Sequence, residues 1–122
     1  MAYSISQNNF IYLNKGDTFI APLFINQGTK MCPIRYNLKN HKNTEIYLGI
    51  MEPNQPFEEA TIKKMYTSSS PEINDNGDLV ITLKSTDTEY LLPGKYYYEI
   101  KVKLYNGQIC TIVPKTEFLL ME

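Results

Sequence analysis

The sequence predicts an all-β domain, an immunoglobulin-like antiparallel β-sandwich of about seven strands. Three observations carry this. Residues 95–105 (KYYYEIKVKLY) alternate strictly: Tyr96, Tyr98, Ile100, Val102 and Leu104 share one face, and Lys95, Tyr97, Glu99, Lys101 and Lys103 the other. That is the period of a strand with one buried face. Further strand-like runs recur between turn-forming clusters, and no convincing amphipathic helix intervenes. The 122 residues are one domain's worth, 43% hydrophobic and 20% charged, which suffices for a core without metal or disulfide support.

The elements follow in order. Residues 1–9 are polar and read as an N-terminal arm or edge segment; residues 10–122 read as a single sandwich domain. Residues 10–13 form a short strand ended by Asn14, Lys15, Gly16 and Asp17. Residues 18–26 place Phe19, Ala21, Leu23 and Ile25 on one face, with Pro22 marking an edge or a bulge. Glu45–Met51 is nearly all apolar and would be an aggregation hazard at a sheet edge. Residues 60–66 are favoured as a strand over a helical turn. Asn74, Asp75, Asn76 and Gly77 form a turn before Leu79–Leu83, where Leu79, Ile81 and Leu83 face inward. Residues 87–94, with Tyr90, could close the sandwich as a corner.

After residues 95–105, Asn106 and Gly107 suit a two-residue type I′ hairpin. The matching register sets Leu104 against Ile109, Val102 against Thr111, Ile100 against Val113 and Lys103 against Cys110 on the outer face. A bulge at Pro114 would then put Thr116, Phe118 and Leu120 on the inner face.

Twelve basic and 13 acidic residues give a net charge of -1, which argues against nucleic acid as the main partner. No stretch approaches a membrane span, and the first residues lack the basic and apolar regions of a signal peptide, so synthesis in a cytoplasm is expected. Cys32 and Cys110 fit neither a zinc site nor a redox motif. A disulfide between them stays open, although Cys110 reads as outward-facing.

Catalytic patterns are missing, and no enzyme activity, cofactor or metal is expected. His41 is the single histidine and sits in a polar run. Asn74, Asn76, Gly77 and Asp78 loosely resemble a calcium loop, but with Gly77 at the sixth position Leu83 falls where the bidentate acid belongs. Glu58 and Glu59, read as neighbours on a strand, point to opposite faces and make no glycosidase pair. Ten tyrosines keep protein contact and sugar stacking in view; Tyr36, Tyr47, Tyr66 and Tyr97 are the sugar-platform candidates, although Trp is absent.

Four motifs carry a resemblance: KGDTF at 15–19, GIMEPNQPF at 49–57, LPGKYYYEI at 92–100 and TIVPKTEF at 111–118. In this order they resemble small virion structural proteins of tailed bacteriophages, in particular the immunoglobulin-like N-terminal domain of phage baseplate upper proteins. The resemblance implies a subunit of the tail, baseplate, neck or head decoration. Such a subunit is made in the host bacterial cytoplasm and located in the virion. Its partners would be other virion structural proteins and itself, with no nucleic acid and no membrane. A carbohydrate- or receptor-binding module is the alternative. The contact residues expected are Tyr3, Ile5 and Phe10 of the arm and Lys95, Tyr97, Lys101 and Lys103 of the outer face.

Overall fold

The computed structural model describes residues 10–23 and 37–122 with their side chains, and the backbone alone of three short strands at 3–5, 26–29 and 32–35. Among the described residues there are ten strands: β1 (Tyr3–Ile5), β2 (Ile11–Asn14), β3 (Phe19–Leu23), β4 (Asn26–Thr29), β5 (Cys32–Arg35), β6 (Glu45–Met51), β7 (Ile62–Thr67), β8 (Leu79–Leu83), β9 (Gly94–Lys103) and β10 (Ile109–Met121). A single helical turn, α1 (Ser85–Thr88), and two 3-10 turns at Leu38–Asn40 and Phe57–Glu59 complete the described elements. Ile25 and Tyr36 lie outside the described residues.

Six strands form one sheet in the order β1-β2-β10-β9-β6-β7, while β3-β8 and β4-β5 are two-stranded. The β10-β9-β6-β7 order matches the G, F, C and C′ strands of a variable-type immunoglobulin sheet, and β3-β8 matches the B–E pair of the opposite sheet. The inner face of the large sheet supplies Leu48, Ile50, Tyr98, Ile100 and Phe118 to one core. Phe19, Leu79, Ile81 and Leu83 of β3-β8 belong to the same core. The fold is an all-β sandwich.

One pairing is not antiparallel. β2 runs parallel to β10, with Phe118 opposite Ile11 and Met121 opposite Asn14. A hairpin forces antiparallel neighbours, but these strands come from opposite ends of the chain and no turn sets their relative direction.

β9 is as its alternation predicts: Tyr96, Tyr98, Ile100 and Val102 are buried, and Lys95 and Lys103 are exposed. β6 lies between β9 and β7, so its apolar run is not at an edge. Pro22 does lie on β3, whose one neighbour in its sheet is β8. It stands opposite Val80, whose N–H turns away from β3 to Glu72 O at 2.8 Å. The missing N–H of Pro22 therefore costs the β3-β8 ladder nothing.

Val113 faces Ile100 as expected, but next to the turn the hairpin register differs from the expected one by a residue. Ile109 faces Lys103, Cys110 faces Val102 and Thr111 faces Lys101. Leu104 N–H donates to Gln108 O at 2.8 Å, and Gly107 N–H donates to Leu104 O at 2.9 Å. Gly107 has φ 87°, whereas Asn106 is not among the residues with positive φ. This is the three-residue loop in which glycine alone takes the left-handed position, not type I′. The Asn106 side chain stabilises it by accepting from Gln108 N–H at 3.0 Å. Register shifts between Thr111 and Val113 and between Val113 and Thr116 then restore the inner-face parity. Thr116, Phe118 and Leu120 are buried as expected, with Pro114 inside the second shift.

The corner also differs. Tyr90 is 90% exposed and closes nothing. Instead the buried Tyr96, near the start of β9, donates its hydroxyl hydrogen to Leu92 O at 2.6 Å. A tyrosine at the start of strand F bonding back to upstream backbone is the tyrosine corner of immunoglobulin-like sandwiches.

Candidate protein-interaction surface

The outer face of the large sheet is built by strand pleating. Residues opposite each other on adjacent strands share a face, so the registers define its rows. One row holds Glu45, Lys103 and Ile109; the next holds Met65, Tyr47, Lys101 and Thr111; a third holds Met51, Tyr97 and Glu117. Lys95 stands opposite Leu119.

Phe57 dominates the centre of this face. Gly49 leaves a gap in β6, and the 3-10 turn at Phe57–Glu59 folds back to lay the Phe57 ring over it. Phe57 therefore docks on the sheet face and not on the sandwich edge. Met51 and Ala60 are buried although Met51 points to the outer face. The turn is held by Gln55: its Oε1 accepts from Glu52 N–H at 3.0 Å and from the Thr61 hydroxyl at 3.1 Å. The Lys63 ammonium also donates to Glu58 O.

Among the described residues, two cations lie over aromatic faces. Lys101 Nζ is 4.8 Å from the centre of the Phe57 ring, and Lys115 Nζ is 5.3 Å from that of Tyr97. At such partly exposed positions each contact is worth about 1 kcal/mol. That is enough to orient a side chain but not to hold the turn. Tyr47 has its phenol pKa raised by burial and by the neighbouring Glu45 carboxylate.

The structure places Lys95, Tyr97, Lys101 and Lys103 on one face, as their alternation requires. Lys95 and Lys103 are exposed; Tyr97 and Lys101 are half-buried under Lys115 and against Phe57. The arm residues are not brought to them. Tyr3 and Ile5 belong to β1, which pairs with β2 of the same chain, with β10 between β2 and β9. Their side chains lie outside the described residues. Phe10 is half-buried just before β2.

Other large apolar side chains are strongly exposed. They are Tyr105 at 77% and Ile109 at 63% on the β9-β10 hairpin, and Tyr90 at 90% and Leu92 at 77% on the β8-β9 connection. A two-residue turn hides Ile109 on the inner face opposite Leu104, which is why the pattern alone passed over it.

The residues weighed for chemistry have local structural roles. His41 Nδ1 lies 2.8 Å from Asn37 O, closing the 3-10 turn at Leu38–Asn40. Asn74 Oδ1 accepts from Asn76 N–H at 2.9 Å and Asp78 N–H at 3.0 Å, so that carboxamide is spent on its own turn. Glu58 and Glu59 lie exposed on a 3-10 turn and not on a strand. Tyr66 faces the core, and Tyr47 and Tyr97 flank the Phe57 turn without forming one platform. Cys110 is exposed and a free thiol. Among the described residues, no three His, Cys, Asp or Glu side chains gather as a metal site. No helix among them is long and apolar enough to cross a membrane. An apolar cavity of about 360 Å³ lies between the sheets, bordered by Phe19, Leu23, Ile81, Ile112 and Val113.

No protein-family model matches the chain, and no curated protein sequence matches it significantly.

Proposed function

We propose that the chain is a structural subunit of a tailed-phage virion, a component of the tail, baseplate, neck or head decoration. It works by assembling with other virion proteins and with copies of itself. The observation that carries this reading is the ordered set of motifs resembling phage baseplate upper proteins. Three of the motifs supply connected parts of one sandwich. GIMEPNQPF provides both Gly49 and the Phe57 that covers it. LPGKYYYEI provides both Leu92 and the Tyr96 bonded to it. TIVPKTEF provides the shifts that bring Thr116 and Phe118 to the core. The exposed aromatic and aliphatic side chains at both ends of β9 supply the kind of surface that assembly uses.

The test is co-expression with the products of the genes that flank this one, followed by affinity purification and size exclusion. The expected result is stoichiometric co-migration of at least one flanking product, or of several copies of the chain. A chain that remains alone with every flanking product, yet binds an oligosaccharide on a glycan array, overturns the reading in favour of a sugar-binding module.

A further inference from the structure

The sequence holds two Asn-Gly pairs, Asn76-Gly77 and Asn106-Gly107, and both lie in tight turns. Such a pair carries an electrophile and a nucleophile side by side. The side-chain Cγ and the next backbone nitrogen can close a five-membered ring, and glycine has no Cβ to hinder the approach. The two glycines have nearly the same backbone, φ 81° and 87°. Each has its N–H tied to an earlier carbonyl, Gly77 to Asn74 O at 3.0 Å and Gly107 to Leu104 O at 2.9 Å. That bond has to open before either nitrogen attacks, so it does not separate the two sites.

Their surroundings do. Asn106 Oδ1 accepts from Gln108 N–H at 3.0 Å. This donor draws electron density from the carboxamide carbon and is placed to hold the negative oxygen that forms when the carbon is attacked. At Asn76 the equivalent N–H, that of Asp78, is already bonded to Asn74 Oδ1 at 3.0 Å. Gly77 is also buried, its carbonyl accepts from Leu38 N–H at 2.9 Å, and a Cβ built on it would collide with the Asn37 carboxamide. A Cβ on Gly107 would meet nothing within 4 Å, and every residue from 105 to 111 is exposed. The hairpin turn can therefore release the Gly107 bond without disturbing any packing, whereas the Gly77 turn is clamped against Asn37 and Leu38.

We propose that Asn106 is a self-modification site, converted through a cyclic imide to aspartate and isoaspartate, and that Asn76 is protected by its turn. The Gly107 nitrogen, deprotonated by hydroxide, forms a bond to Asn106 Cγ. The Cγ–Nδ2 bond breaks, and that nitrogen leaves as ammonia with a proton taken from water. Water then opens the imide. Breaking the new N–Cγ bond gives aspartate; breaking the original peptide bond instead leaves the chain running through Cβ and Cγ, longer by a methylene. Nothing is oxidised or reduced: an amide and a water become a carboxylic acid and ammonia. Either product adds a negative charge to a hairpin that has no acidic residue between Glu99 and Glu117. The proposal is independent of the virion reading.

The experiment uses the full wild-type chain, held at mildly alkaline pH in buffer and, separately, in urea. Peptide mass mapping follows amide loss at Asn76 and Asn106 over time. In urea both turns are gone, so the rate ratio of Asn106 to Asn76 there reports the flanking sequence alone. In the folded chain that ratio should be at least ~10-fold larger, a small part of what one placed oxyanion donor contributes in an enzyme. Tandem mass spectrometry should find both aspartate and isoaspartate at position 106. Asn106→Gln, whose longer side chain closes a less favourable ring, should remove the signal from that peptide and leave the Asn76 rate unchanged. A ratio that folding leaves the same would mean that the Gly107 bond locks the hairpin turn as firmly as Asn37 clamps the other, and overturns the proposal. A folded chain that loses amide faster at Asn76, or at neither site, overturns it as well.

Discussion

The ring of Phe57 occupies the place that a side chain at position 49 would take. A Cβ built on Gly49 would stand 2.8 Å from Phe57 Cε2 and 2.9 Å from Cδ2, closer than real Cβ atoms approach. Gly49→Ala should therefore expel the ring and cost ~1–3 kcal/mol, the usual range for overpacking. Phe57→Ala should also destabilise by uncovering Met51 and Ala60. Once the ring is gone the added methyl meets only Ala60 Cβ, at 3.2 Å, so the double variant should lose less than the sum of the two single costs. Urea melts of the four proteins check this non-additivity; additive costs would mean that the two positions do not share one space.

The Tyr96 hydroxyl bond to Leu92 O should be worth about 1 kcal/mol, so Tyr96→Phe should lower stability by roughly that amount. Tyr90→Ala, at a position 90% exposed, should stay within about 0.5 kcal/mol. Thermal melts that reverse this ranking would return the corner to Tyr90.

Alkaline pH should unfold the chain through two buried phenols. Burial pushes Tyr98 up to about 12; burial first, then the Glu72 and Asp87 charges, push Tyr66 up to about 12. Unfolded, both ionise near 10. Their contribution is complete below pH about 10 and is lost between about 10 and 12, because the unfolded chain releases protons that the folded chain keeps. The Tyr66 hydroxyl is buried without a hydrogen-bond partner among the described residues. Tyr66→Phe should accordingly be neutral or stabilising at pH 7 and should shallow the alkaline loss. Denaturation at stepped pH, with tyrosinate absorbance as the second signal, measures both effects.

Ile100→Ala and Val102→Ala should each cost ~1–4 kcal/mol, since both side chains are buried between the sheets. Lys101→Ala should lose at most ~1 kcal/mol, the worth of its contact over Phe57. Equilibrium unfolding that ranks Lys101→Ala worst would mean that the faces of β9 are inverted.

By itself, the sequence determined which face the residues of β8, β9 and the end of β10 present. The alternation of β9 and β8, the inward turn of Thr116, Phe118 and Leu120 after Pro114, and the shared face of Lys95, Tyr97, Lys101 and Lys103 all follow from a period of two, which local chemistry enforces. Tertiary structure alone decided which strand lies beside which and in what register. Asn106 and Gly107 satisfy both a two-residue and a three-residue loop, and the choice moves Ile109 from the core to the solvent. The parallel pairing of β2 and β10, the docking of Phe57 on Gly49 and the choice of Tyr96 over Tyr90 at the corner join residues far apart in the chain or nearly equivalent in pattern. The exposed apolar side chains at both ends of β9 were illegible for the same reason. Whether an apolar residue at a strand end is covered depends on how far the opposite sheet reaches, and that length is set by packing across the whole core.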